Sequence, residues 1–277
     1  MGAEYSVLMS VYQREAPHHL NRALNSLSAQ TCRPTEIVLV EDGPLSVELN
    51  TVIEDYRLGS NPRTVVVKLE RNMGLGTALQ VGLEACTFPI VARMDADDIA
   101  VPTRCEKQLK FLELHPEIDA VGSWISEFDR DETNIYARRI LPTDPNELVA
   151  FARLRCPLNH MSVMFRKARV IAAGGYQPLS GFEDYFLWVR MLLNGSRLEN
   201  IPEFLMNVQA GSDRLSRRGG WGYAKSELKF QREILRLGFI SFPRFFANVC
   251  IRFATRIAPI SMRQKIYRAI RQGPGSP

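Results

Sequence analysis

Over its first hundred residues the chain alternates short β-branched apolar runs with segments of helical spacing, and few folds accept that order. The run Ser6–Val11 predicts a strand, and the segment after it places Leu20, Leu24 and Leu27 on one helical face. Residues 37–40 predict a second, buried strand closed by the turn formers Asp42, Gly43 and Pro44. A helix over residues 47–56, a strand at 65–69, a helix from about residue 74 to 85 and a strand at 90–94 complete the series. Such a series implies a mostly parallel sheet with helices on both faces, because each parallel crossover must lie over the sheet.

Polar residues stand at or just beyond the carboxyl end of each predicted strand: Tyr12 to Arg14, then Glu41 and Asp42, then Arg71 and Asn72, then Asp95, Asp97 and Asp98. That edge is where an open α/β sheet binds ligands, so four loops deliver hydrogen-bonding groups to one rim. Beyond Pro102 the spacing predicts a helix to about His115, further strands at 120–128 and 161–166, and a last strand at 201–208. Strands and helices no longer alternate cleanly there, which predicts a mixed sheet. Glu183 and Asp184 open a helix that runs through Trp188 to a stop at Asn194 and Gly195.

Composition narrows the class. The 277 residues are 45% hydrophobic and 9% aromatic, enough for one large α/β domain or two modest ones, and unlike disordered or collagen chains. Five widely spaced cysteines without a CxxC suggest neither a disulfide framework nor a zinc site, and fit a reduced, cytosolic setting. The first residues enter a strand at once, so no signal peptide is expected, and no run reaches the roughly 18 apolar residues of a spanning helix. From Arg214 onward 14 lysines and arginines face two acids, whereas the preceding 213 residues carry 21 basic and 28 acidic side chains. An acidic body with a basic tail points to an anionic surface bound by one end.

Arg93, Asp95, Asp97 and Asp98 form the strongest cluster. Crowded carboxylates repel one another unless solvated or neutralised, and a divalent cation with oxygen ligands neutralises them well; an acidic, solvated turn capping the next helix is the other reading. An EF-hand is disfavoured, because Ala100 stands where that loop requires glycine. Glu183 and Asp184 suit helix capping, or a general base toward a hydroxyl if the fold brings them to the same rim. The stretch from Asn72 to Leu79, with Gly74 and Gly76, is a weak dinucleotide fingerprint, readable as a tight turn or as close backbone approach to a nucleotide. His160, taken alone, reads as structural.

Together, Ser10 to Tyr12, Val40 to Gly43, Asn72 to Gly76, Asp95 to Asp98, Pro102 to Arg104 and the Glu183-Asp184 helix resemble a family 2 glycosyltransferase of the GT-A fold, in order and spacing over roughly residues 4–220. Downstream, residues 159–165, Gly174 to Tyr176, Leu187-Trp188, Arg217 to Gly220 and residues 225–231 are similar to a bacterial subgroup that builds exopolysaccharide, capsule or O-antigen units. The resemblance implies a Rossmann-like nucleotide-diphospho-sugar transferase: a mixed α/β sheet with helices on both faces, followed by C-terminal amphipathic helices. It implies Tyr12 and Asp42 against the uracil of a UDP-sugar, with Glu41 standing where many relatives have Asp, and Arg71, Asn72 and Arg93 also on the donor. It further implies Asp95 at the ribose or metal, Asp97 as ligand of Mn²⁺ or Mg²⁺, and Asp98 orienting the sugar. Asp184 would be the catalytic base with Glu183 as fallback, and His160, Arg217 and Arg218 would meet acceptor or phosphate. At residues 207–209 the chain departs from relatives, which often carry a Tyr-Arg pair there.

In the tail, helical spacing within Phe242–Ile257 puts Phe246, Cys250, Phe253 and Ile257 on one stripe, with Arg252 and Arg256 on another face. Met262, Ile266 and Ile270 form a second stripe among basic residues. Such helices lie in a membrane interface, or pack on the body or a second subunit; the charge favours the membrane, and no nucleic-acid reader motif accompanies it. The expectation is therefore a transferase domain over residues 1–212 and a basic helical tail over 213–277. The tail would hold the protein peripherally at the cytoplasmic face of the inner membrane, where it would use a UDP-sugar and a lipid-linked saccharide acceptor. A catalytically inactive sugar-nucleotide-binding or scaffold protein is the alternative.

Overall fold

The computed structural model describes residues 4–59, 62–129, 131–210 and 220–257, with residues 253–257 described through their backbone alone. The elements in chain order are β1 (Ser6–Val11), α1 (Pro17–Ser28), β2 (Glu36–Glu41), α2 (Val47–Leu58), β3 (Arg63–Lys68), α3 (Leu75–Ala85) and β4 (Ile90–Asp95). Then come β5 (Ile99–Ala100), α4 (Arg104–Leu114), β6 (Ala120–Phe128), β7 (Ile135–Arg139), α5 (Pro145–Ala152), β8 (Met164–Arg166) and α6 (Lys167–Ala172). The described chain ends with α7 (Glu183–Leu193), β9 (Leu198–Gln209), α8 (Gly220–Arg236) and α9 (Phe242–Ile257).

The strands form one mixed sheet in the order β3-β2-β1-β4-β8-β6-β9-β5, with β7 added on β6. β1 lies parallel between β2 and β4, so the chain steps outward to β2 and β3 and then returns to the other side of β1. That reversal opens a crevice at the carboxyl ends of β1 and β4, where Ser10 pairs with Asp95. Beyond β4 the pairing turns antiparallel through β8, while β6 and β9 run parallel. The predicted mixed sheet is present.

Alternate residues of the central strands feed two apolar layers. Val7, Met9, Ile37 and Leu39 pack with Leu20, Leu24, Ile53 and Leu109, from α1, α2 and α4. Leu8, Val38 and Val40 pack with Leu79 and Leu83 of α3, Leu148 of α5, and Leu187 and Trp188 of α7. Burial on both faces is why these strands read as continuous apolar runs. A third cluster joins Phe182, Tyr185, Phe186 and Val189 to Phe230 and Ile234 of α8. The Phe182 and Phe230 rings stack 5.0 Å apart. α7 is thus buried between the sheet on one side and α8 on the other.

The strand expected at 161–166 is shorter. His160–Ser162 is a 3-10 turn, because Ser162 bonds locally, its Oγ donating to Asn159 O at 2.9 Å, and such bonding competes with a ladder. The structure also contains β5, β7, α5 and α6, which the sequence reading did not separate; α5 starts on Asp144, whose side chain accepts from Asn146 N and Glu147 N, with Pro145 following.

α9 packs Phe245 against the aromatic cluster and turns polar side chains toward α8 as well. Asn248 Nδ2 donates to Gln231 Oε1 at 3.1 Å, and Arg252 Nη1 reaches Glu227 Oε1 at 2.6 Å. The exposed residues are mostly apolar: Phe246 is 63% and Ile251 66% exposed, and Cys250 is also exposed, beside Arg244. Phe253, Arg256 and Ile257 lack described side chains, and the stripe of Met262, Ile266 and Ile270 lies outside the described residues. No helix among the described residues is long and apolar enough to cross a membrane.

Candidate active site

The rim begins with a loop pair fixed by one carboxylate. Asp42 Oδ1 accepts from Met73 N at 2.6 Å and Oδ2 from Gly74 N at 3.1 Å, so the acid after β2 holds the turn that leads into α3. Asn72 Nδ2 donates to Asp42 O at 3.2 Å. Gly43 has φ +86°, and a Cβ there would stand 2.6 Å from Asn72 N, so only glycine lets the two loops meet. Glu41, buried, pairs with Lys68 at 3.1 Å. Arg71, exposed, lies with Nε 3.4 Å from Met73 Sδ. Tyr12 follows β1 on the same rim.

At the end of β4, Asp95, Asp97 and Asp98 each bring a carboxylate oxygen within 4.8 Å of the other two. The turn is braced from several elements. Gln209 N donates to Asp98 Oδ1 at 2.9 Å, Arg22 Nη2 from α1 reaches Gln209 Oε1 at 2.9 Å and Asp97 O at 3.5 Å, and Arg93 pairs with Asp95. Asp98 is 1% exposed. Arg104, fully buried, donates through Nη2 to Arg93 O at 2.7 Å and through Nε to Gln108 Oε1 at 3.0 Å, tying α4 to β4. Burial pushes the Arg93 guanidinium down, but the adjacent carboxylates, Asp95 foremost, carry it above its ordinary value. An all-oxygen set of three carboxylates suits a hard divalent cation such as Mg²⁺ or Mn²⁺.

Glu183 and Asp184 open α7, in its first turn. Glu183 packs on α3: a Cβ on Gly76 would lie 2.8 Å from Glu183 Cγ and 3.0 Å from Gln177 O. Gly76 therefore permits close approach of α7 and its preceding loop. Burial raises Glu183 to about 7. Asp184 Oδ2 lies 3.5 Å from Cys156 Sγ. Below it His160 Nε2 meets Tyr176 Oη at 3.0 Å, with the Trp188 ring edge-on at 6.2 Å. His160 is pushed down to about 4, by burial first and then by Arg93, and the carboxylates of Asp184 and Asp95 both act against that. The imidazole is neutral at pH 7. The charges of Asp95, at the end of β4, and of Asp184, in the first turn of α7, both act on this buried His–Tyr pair.

Tyr12, Glu41, Asp42, Arg71, Asn72, Arg93, Asp95, Asp97, Asp98, Glu183, Asp184 and His160 all fall within the described residues, and Arg217 and Arg218 fall outside them. The structure adds Gln209, Arg22, Tyr176 and Cys156 as direct partners of these residues. Gln209 makes its contact to Asp98 through the backbone N–H. Tyr176 follows a Gly-Gly pair, a loop signal already visible. Arg22 and Cys156 carry no such signal.

A family model described as "Glycosyl transferase family 2" matches residues 6–170. The amylovoran biosynthesis glycosyltransferase AmsE of Erwinia amylovora is 44% identical over 97% of this chain and 100% of its own length. The UDP-Gal:alpha-D-GlcNAc-diphosphoundecaprenol beta-1,3-galactosyltransferase of Escherichia coli is 35% identical over 96% of both chains. Among solved structures, S. aureus TarS 1-349 in complex with UDP-GlcNAc superposes with a TM-score of 0.65 at 19% identity, covering 84% of this chain and 66% of that one. The last likeness shows a shared GT-A fold.

Proposed function

From the premise that this chain belongs to glycosyl transferase family 2, we propose that it moves a sugar, with inversion, from a UDP-sugar to a hydroxyl of a lipid-linked saccharide in bacterial surface polysaccharide synthesis. The observation that carries this reading is the carboxylate triad at the β1/β4 crevice, with the charges of Asp184 and Asp95 both acting on the His160–Tyr176 pair. In the step itself Asp184 takes the proton of the acceptor hydroxyl while that oxygen bonds to the anomeric carbon. The bond from that carbon to the diphosphate breaks on the opposite face, so an α-linked donor gives a β-linkage. Glu183, raised by burial to about 7 and so about half protonated there, stands beside Asp184 as the fallback base.

Asp97 and Asp95 would hold Mn²⁺ or Mg²⁺, and a bound cation offsets negative charge developing on the departing diphosphate. Asp98, bonded to Gln209 N, orients the donor sugar through the turn it stabilises. Tyr12, Glu41, Arg71, Asn72 and Arg93 serve the donor, and Asp42 serves it by fixing the 72–74 backbone. Neutral His160 supports the floor on the acceptor side, with Arg217 and Arg218 toward phosphate. Residues 1–212 carry the transfer, and residues 213–277 hold the protein peripherally on an anionic cytoplasmic membrane surface. The mostly apolar exposed residues of α9, against a net basic tail, support that placement.

A donor screen tests the reaction by following UDP release with membrane lipid as acceptor, with and without EDTA. One UDP-sugar is expected to turn over and to stop on chelation; inertness with every nucleotide sugar would favour the inactive binding protein. Flotation with vesicles containing anionic lipid tests the tail. Phe246→Asp is expected to reduce recovery in the floated fraction, and recovery unchanged by Phe246→Asp would remove α9 from the membrane contact.

A further inference from the structure

We propose that Cys156 is a positioning residue for the base: its thiol donates to Oδ2 of Asp184 and leaves Oδ1 for the acceptor hydroxyl. The inference rests on the reading of Asp184 as base. Cys156 Sγ lies 3.5 Å from Asp184 Oδ2 and 3.3 Å from Leu158 O, so its one proton serves two acceptors. Burial, together with the Asp184 carboxylate, raises the thiol well above its ordinary range. The group is therefore a protonated donor and not a thiolate nucleophile.

The sulfur is held where it stands. Asn248 Nδ2 donates to Arg153 O at 3.0 Å, Arg252 donates to Leu154 O, and Arg139 Nη2 donates to Cys156 O at 3.4 Å. α7 is tied to the same stretch by Tyr185 Oη, which donates to Ala152 O at 2.6 Å. Thiol and carboxylate thus sit on two segments locked to each other, and the S–H selects which carboxylate oxygen is engaged. The other titratable groups facing Asp184 are Glu183 and Tyr185 on α7, His160 on the 3-10 turn and Tyr176 on the loop before α7; Arg93 acts on Glu183 and His160, and Arg139 on the thiol.

A hydrogen bond to a carboxylate favours its charged form, so losing the donor moves the acidic limb of the kcat profile to higher pH. Cys156→Ala is expected to move that limb up by about 0.5–1 pH unit and to lower the plateau about threefold, with donor KM within about twofold of the parent. Cys156→Ser keeps a donor and is expected to leave the limb in place. Where alanine loses the fold by thermal melt, the near-isosteric pair Cys156→Thr and Cys156→Val repeats the comparison. A Cys156→Ala profile that superposes on the parent, or equal plateau losses in donor and non-donor variants with no movement of the limb, overturns the role of the thiol. Asp184→Asn separates the two ideas. Full activity in that variant ends the base assignment and this inference together, whereas an inactive Asp184→Asn beside an unchanged Cys156→Ala profile ends this inference alone.

Discussion

Two acidic clusters of the molecule, the corners of the proposed site, are similar in composition and opposite in surroundings. At the Asp95–Asp98 turn, guanidinium groups stand close: Arg93 pairs with Asp95, Arg93 and Arg104 both feel Asp98, and Arg22 holds the Asp97 carbonyl. At the start of α7, burial outweighs charge, and Glu183 rises to about 7. On the proposed function the same side-chain chemistry would be sorted into two duties, charge compensation at one corner and proton transfer at the other.

The contrast breaks most sharply at Asp184. Asp184→Asn removes the proton acceptor without changing shape, and kcat is expected to fall about 10²–10⁴-fold with donor KM little changed, measured by UDP release. A loss confined to KM would move Asp184 to the electrostatic corner.

Glu183 sharpens the contrast through stability. Its pKa lies at about 7 in the fold against 4.5 unperturbed, so the fold binds the proton more tightly than the unfolded chain does. That contribution is full below about 4.5 and is lost as pH rises through about 7. Glu183→Gln is expected to flatten this slope, gaining up to about 3 kcal/mol relative to the parent between pH 5 and pH 8, read from denaturant melts without ligand. Parallel slopes in parent and variant would mean that Glu183 is solvated.

The smallest expected effect is at Arg22, which bonds the Asp97 carbonyl and Gln209. Groups that orient ligands without touching the metal typically matter by about 10–100-fold in metal affinity. Arg22→Ala is expected to weaken Mn²⁺ activation by about tenfold, with kcat at saturating metal preserved. An unchanged activation curve would make the brace purely structural.

The fold was legible where burial is two-sided. β2, with every residue buried, could only be a central strand, and the polar residue after each strand marked the rim. β7, half-exposed with the pattern Ile-Tyr-Ala-Arg-Arg, and the two-residue β5 carried too little apolar signal to read. The acidic members of the site were legible as a spaced resemblance. Their supports were not, because Arg22 and Asp97 are 75 positions apart, Asp98 and Gln209 are 111, and Cys156 and Asp184 are 28. Such pairings obey no local period, and only the packed sheet brings them together. Gly76, readable in the sequence as part of a weak nucleotide fingerprint or of a tight turn, owes its lack of a side chain to the room needed by Glu183 and Gln177, a contact no local pattern announces.

α7 belongs to two cores at once, its Leu187 and Trp188 toward the sheet and its Phe182 and Tyr185 against Phe230. Grafting a foreign C-terminal segment after residue 212 would therefore replace half the bedding of the helix that carries Asp184. Chimeras that exchange tails between relatives must preserve the aromatic stack in register, or the swap alters turnover along with whatever surface the tail recognises.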